Sequence, residues 1–514
     1  MDRHVFISAS LLAISLAGPA HAQDATTSGG HSETAVSAAS DDESAGASAG
    51  AGHDTAEHDL AAPPAILENY GNGGFPITTS VPEAQAYFDN GIALAGAFAH
   101  KQAIEAMAEA VRLDPACAMC LWGHAYTLGP TLNYGVDEEK RAEPRALLKK
   151  AAMLARANGS QFERDLIAAI TPRYRSGDTD KSDKAYDKAM RSFAAKYPAS
   201  DMAQVLAADA SMLALDWPDF AGLEYAIGLL EPVLARNPDH TPAIHFYIHA
   251  TEIHGTPEKA EVAADRLDAM ELSASHLVHM PSHTWYWVGR YQDAANANVR
   301  AVGLGQHEVA HMGDKAADEV WTVPYHAHNV IFGLGGALMA GDSRSALMLA
   351  RPLVAMVEKA EDMHPIRQLL TAAGYFALAR FEDPNVVLAL EEPKPDYSKA
   401  AWHYARGEAF AFLGNTAGVK SEAEAIPVSI NTIDGKSSPA PEHMLSISRL
   451  VLQGRAAMMA GEYRNAAARF AEAAAIEETE DFSRFSDPPA FWYPVRRDLA
   501  SALLKAGDRD AALR

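Results

Sequence analysis

The sequence predicts an all-α fold, a solenoid of stacked helix–turn–helix repeats, and three observations carry that prediction. From about residue 80 onward, alanine and leucine recur at i, i+3, i+4 and i+7, the spacing of one helix face. No sustained alternation of β-branched and polar residues interrupts them, so a sheet is not expected. A fixed period relates the helices. Residues 84–115 place Tyr87, Gly91, Leu94, Ala103, Met107, Ala110 and Pro115 at offsets 4, 8, 11, 20, 24, 27 and 32 of a 34-residue unit. Small residues at offsets 8 and 20 let the two helices of a unit approach closely, and the proline ends the second helix.

The chain opens with an address. Arg3 and the amino terminus precede the apolar run Val5 to Leu16, and Ala20-His21-Ala22 forms a small-x-small cleavage site. Residues 1–22 are therefore expected to be a signal peptide, too short and wrongly flanked to span a membrane. The signal has a bacterial character, so the expected compartment is the periplasm, with secretion as the alternative. Residues 23–62 follow with eight acidic side chains, no Lys or Arg and no aromatic residue. Such a stretch buries too little apolar area to offset chain entropy and is expected to be a disordered acidic linker; His31, His53 and His58 within it are weak metal candidates at most. Pro63-Pro64 closes it, and 63–514 is expected to be the solenoid.

Composition narrows the partners. Lys and Arg number 43 against 67 Asp and Glu, a formal charge of −24 over 514 residues. Nucleic-acid binding needs clustered cations and is not expected. No later stretch is apolar for long enough to span a membrane. The only cysteines, Cys117 and Cys120, are too few for a disulfide framework; a structural or oxidised pair is expected rather than a catalytic one.

Along the body, clear units fall near 84–117, 118–151, 241–274, 275–308, 327–360, 447–480 and 492–514, and 137–236 and 350–440 are helical but off-pattern. The last unit breaks off at Arg514 inside its second helix, without the polar capping helix that terminal repeats carry, which predicts either a frayed end or a truncated one. The body resembles the tetratricopeptide repeat superfamily. More narrowly, it resembles a set of exported bacterial repeat proteins, through Asp114-Pro115-x-Cys117-Ala118-Met119-Cys120-x-Trp122-Gly123, Leu128-Gly129-Pro130, Asn237-Pro238-Asp239-His240, His245-x-Tyr247-Ile248-His249-Ala250-x-Glu252 and His276-Leu277-Val278-His279-Met280-Pro281-Ser282-His283. The superfamily resemblance implies a right-handed superhelix whose first helices line a concave, peptide-binding groove. It implies no chemistry.

Ten of the 21 histidines fall between His245 and His328. Offsets 2, 5, 9 and 12 of a unit's first helix face the groove in such repeats. His245, His249 and Glu252 take offsets 5, 9 and 12 of one unit; His276, His279 and His283 take 2, 5 and 9 of the next; His328 takes 2 of the one after. Spacings of three and four place each trio on one helix face. Six imidazoles and a carboxylate suit zinc, copper, iron or nickel, in one or two ions. In an enzyme, Glu252 would be ligand or general base, in a hydrolase or an oxidoreductase. A metal-free polar groove and a purely structural polar network are the alternatives. The pattern is not His-Glu-x-x-His, so a zincin is excluded by spacing. Trp122, Tyr126 and Trp287, with Tyr325, His326 and Asn329, are the candidate substrate contacts around the histidines, for a peptide, protein or small molecule. Tyr134, Trp217 and Trp402 are expected in the core.

Overall fold

The computed structural model describes residues 63–514, apart from 133–134, 176, 178, 216–220, 311–323, 362, 364, 431–439 and 484–487. The expected signal peptide and acidic linker, with Tyr134 and Trp217, lie outside the described residues. The rest is a succession of helix pairs: α1 (Pro82–Gly96) with α2 (His100–Leu113), α3 (Ala118–Thr127) with α4 (Ala142–Asn158), α5 (Gln161–Ile170) with α6 (Thr179–Lys196), and α7 (Asp201–Leu213) with α8 (Ala221–Arg236). Then come α9 (Thr241–His254) with α10 (Glu261–Ala269), the broken helix α11 (Ser275–His279) and α12 (Pro281–Trp287) with α13 (Tyr291–Ala310), α14 (Pro324–Ala340) with α15 (Ser343–Lys359), and α16 (Pro365–Phe381) with α17 (Pro384–Leu388). The series ends with α18 (Asp396–Phe412) and α19 (Thr416–Ala425), α20 (Ala440–Met459) and α21 (Tyr463–Glu477), the short α22 (Glu480–Ser483), and α23 (Arg496–Lys505) with α24 (Arg509–Leu513). No β-strand occurs among the described residues. The fold is an all-α solenoid of helix pairs.

The period places most of these helices. Units expected from 84, 118, 241, 275 and 327 open at Pro82, Ala118, Thr241, Ser275 and Pro324; those expected from 447 and 492 open at Ala440 and Arg496. The unit expected at 118–151 is stretched. Gly129-Pro130 ends α3 early, and the chain passes through a 3-10 turn at Glu138–Arg141 before its second helix begins. The off-pattern stretches are helix pairs as well. Among the described residues no helix is long and apolar enough to cross a membrane.

Small residues at offset 8 do what the period requires. A Cβ on Gly454 would lie 2.5 Å from the ring of Phe470, itself buried against α20. A core aromatic ring cannot swing aside as an exposed lysine tip does, so Gly454→Ala is expected to destabilise the protein by about 1–3 kcal/mol in denaturant unfolding. Cys117 and Cys120 form a disulfide, and both are buried.

The stretch before α1 is a packed strap. Asn69 Nδ2 donates to the carbonyl of Glu271 (2.8 Å), Tyr70 Oη to Glu308 (2.6 Å), and Asn72 Nδ2 to the carbonyl of Asp239 (2.6 Å). Further on, Thr78 donates through its N–H and hydroxyl to Glu163 (2.6 and 2.7 Å), which completes the capping box of Ser160 at the start of α5. Phe75 sits edge-on to Phe88 and Trp122 (5.1 and 6.2 Å between ring centres). Gly71 and Gly73 take φ of +101° and +124°, a backbone open to glycine, which lets the strap turn between these anchors. The strap thus ties α1 to α9, α13 and the α10–α11 turn. The end of α1 also meets the start of α9: a Cβ on Gly96 would lie 2.7 Å from Pro242.

Candidate metal centre

Three local features aim the histidines. His240 caps α9 by accepting from Ala243 N–H (3.3 Å), and Pro242 supplies the preset φ of a first helical turn. Gly255, at φ +78°, ends the helix just after Glu252. Pro281 has no N–H to donate, so the helix carrying the second trio breaks between His279 and Pro281.

The histidines come together, but in the interior and not on an open groove. His245, His279 and His283 are fully buried, and His249, Glu252 and His276 are 4–6% exposed; His328 is half-buried. The expectation of a solvent-lined concave face is therefore corrected. The cause is the contact between α1 and α9, which brings the α1–α2 turn over the cluster. Phe98 in that turn has φ +56°, an unusual backbone for a bulky side chain. Its ring centre lies 4.3 Å from that of His245 and 5.1 Å from that of His276.

Hydrogen bonds set the tautomers. His279 Nδ1–H donates to Asn298 Oδ1 (2.7 Å), whose amide nitrogen in turn donates to the carbonyl of Ala294 (2.8 Å). His283 Nδ1–H donates to Glu252 Oε2 (2.7 Å), and Trp287 Nε1–H donates to Glu252 Oε1 (3.1 Å). His245 Nδ1–H donates to the carbonyl of Gly96 (2.7 Å). Each of these imidazoles therefore turns Nε2, as a lone pair, into the cluster. His279 Nε2 and His283 Nε2 face each other at 2.8 Å, and His328 Nε2 lies 3.4 Å from His283 Nε2.

Three groups have their ligand atoms within 4.8 Å of one another: His245, His249 and His276; His279, His283 and His328; and His249, Glu252 and His283. Two ligands on a tetrahedral ion at 2.0–2.1 Å are separated by about 3.3 Å, close to the spacings seen. Burial disfavours the imidazolium form. It lowers the His245 pKa to about 3, with the charges of His283 and His100 adding to the effect, and it holds His249, His276 and His279 well below the ordinary value. Neighbouring His100 is lowered to about 4 by burial.

The expected substrate contacts divide. Trp287 supports Glu252. His326 is buried and, with His276, Ser275, Phe98 and Tyr70, lines a cavity of about 940 Å³ beside the cluster. Asn329 Nδ2 donates to Ser275 Oγ (3.2 Å). The side chain of Tyr325 lies outside what the structure describes. Trp122 is core: it is fully buried between Phe75 and Phe88 and stacks on Tyr126 (5.4 Å), away from the histidines. Tyr126 faces Arg173 (5.6 Å) in a small pocket that Phe98 and His100 also line. Trp402 is buried, as expected.

Phe98, Asn298 and Phe332 were not legible as site residues. Asn298 left one signal. It holds offset 24 of its unit, where the first unit has the core residue Met107, and a buried amide there needs a partner.

No family model matches the chain, and no curated protein matches it. Among solved structures it is similar to the human IFIT1 dimer with m7Gppp-AAAA, at 12% identity over 85% of this chain and 89% of that one, with a TM-score of 0.32. It is similar to Naa15/Naa10 bound to HypK-THB at 13% identity over 84% and 62% of the two chains, with a TM-score of 0.22. Yeast Tom70 follows at 12% identity over 84% and 89%, with a TM-score of 0.25. The architecture itself rests on the helix pairs described above.

Proposed function

We propose that this chain is an exported helical-repeat protein that holds a transition metal ion in the triad His279, His283 and His328, and binds a small molecule in the cavity alongside. The observation that carries this reading is the pair of Nε2 atoms of His279 and His283 at 2.8 Å. Both rings use their only N–H on acceptors, Asn298 and Glu252. Two lone pairs then face each other, and a cation between them relieves the repulsion. A proton is a poor candidate, because burial holds His279 neutral. A metal ion of the zinc, copper or iron kind suits three imidazoles.

Glu252 serves this triad as the carboxylate that orients a ligand imidazole and raises its basicity. Both of its oxygens accept hydrogen bonds, from His283 and Trp287, so it is not poised as a free general base. A small molecule is favoured over an extended peptide, since the strap and the α1–α2 turn cover this stretch of the inner face. Export rests on the leader at 1–22.

Elemental analysis of protein purified from envelope fractions tests the metal. At least one ion of copper, zinc or iron per chain is expected, and content at trace level overturns the reading. In the same preparation the intact mass should correspond to a mature chain starting at Gln23; a mass including Met1 overturns export.

A further inference from the structure

The geometry points to a second metal ion, held by His245, His249 and His276, so that the centre is a pair of copper ions, each on its own histidine triad. This rests on the reading of His279, His283 and His328 as ligands. The two triads share no residue, so both can be filled at once. His245 gives its Nδ1–H to the Gly96 carbonyl, leaving Nε2 as a lone pair 3.1 Å from His276 Nε2. His249 Nε2 is buried and makes no hydrogen bond. A buried imidazole nitrogen without a partner is costly unless something absent from the polypeptide meets it.

The triads abut. The His249 and His283 rings are 5.0 Å apart, and the His276 and His279 rings 5.6 Å apart. Glu252 lies between them, within ligand reach of both His249 and His283. Charge selects the ion. Two divalent cations against one carboxylate leave a net charge of +3 among buried apolar side chains, whereas two copper(I) ions leave +1. Burying uncompensated charge is expensive, so the monovalent ion is favoured, and imidazole is a suitable ligand for it.

The two positions differ in access. The ring of Phe332, fully buried, lies 4.4–5.0 Å from the rings of His279, His283 and His328 and walls off that triad. The second triad reaches the cavity of about 940 Å³ through His276. The ion there has the open face toward a small-molecule ligand.

Loading the full mature protein with copper(I) under argon, followed by desalting and elemental analysis, tests the pair. Two coppers per chain are expected, falling to one in His249→Gln, one in His283→Gln and none in the double variant. One copper in the wild type, kept by His249→Gln and lost by His283→Gln, overturns the second ion and leaves the first triad standing. No copper in the wild type overturns both readings. Two coppers persisting in the double variant place them on the surface and also overturn both.

Discussion

His283→Ala is expected to abolish metal binding at the walled triad and to shrink the fall in melting temperature that a chelator causes. His283 Nε2 lies between His279 Nε2 and His328 Nε2, at 2.8 and 3.4 Å, so its loss removes the central ligand and leaves two nitrogens on different helices. A metal held there would tie α11 and α12 to α14 and, through Glu252, to α9. In the wild type, an ion present at about 1,000 times its Kd adds roughly 4 kcal/mol of stability by mass action. For a body of this length unfolding as a unit, that corresponds to a chelator-induced fall of roughly 4 °C in Tm. His283→Ala should start lower and show a smaller further fall. His403→Ala is the control. His403 donates to Glu422 (2.6 Å) in the α18–α19 pair, far along the chain from the cluster, so its loss costs local packing but leaves metal content and the chelator shift intact. If His283→Ala costs the same with and without chelator, the histidines form a structural network and the metal reading falls.

The repeat period carried the fold because a solenoid is nearly one-dimensional: each pair packs on its neighbours, so local offsets determine most contacts. Offsets 2, 5, 9 and 12 brought His245, His249, Glu252, His276, His279, His283 and His328 to one place for the same reason. The environment was not legible, because it depends on contacts between units far apart in sequence. The α1–α9 approach at Gly96 and Pro242, and the strap from Asn69 to Glu271 and from Tyr70 to Glu308, span separations of well over 100 residues and have no periodic signal. Phe98 looks like ordinary turn chemistry until that approach places it on the histidine rings. Trp122 misled for the opposite reason. Its offset is a groove position in a regular repeat, but the strap's Phe75 occupies the groove there and turns Trp122 into core.

Acid should unfold the metal-free protein well before its carboxylates titrate. His100, His245, His249, His276 and His279 all have folded-state pKa values depressed by burial, to about 4 for His100 and about 3 for His245. In the unfolded chain each returns to about 6.5. Above that pH neither state binds these protons, and stability is at its full value. Below it the unfolded state takes up protons that the folded state refuses, so stability falls as pH falls, by about 1.4 kcal/mol per pH unit for each histidine. Between pH 6.5 and 5 these groups together remove a large share of the stability of an ordinary domain. Chelated protein should therefore lose its helical circular dichroism cooperatively near pH 5, where most Asp and Glu side chains are still ionised. Bound metal resists this, because it must be released before its ligands can be protonated, so the loaded protein's transition should lie at lower pH. A chelated protein that keeps its helicity and Tm down to pH 4 would mean that these histidines accept protons in place, and would overturn this account of their burial.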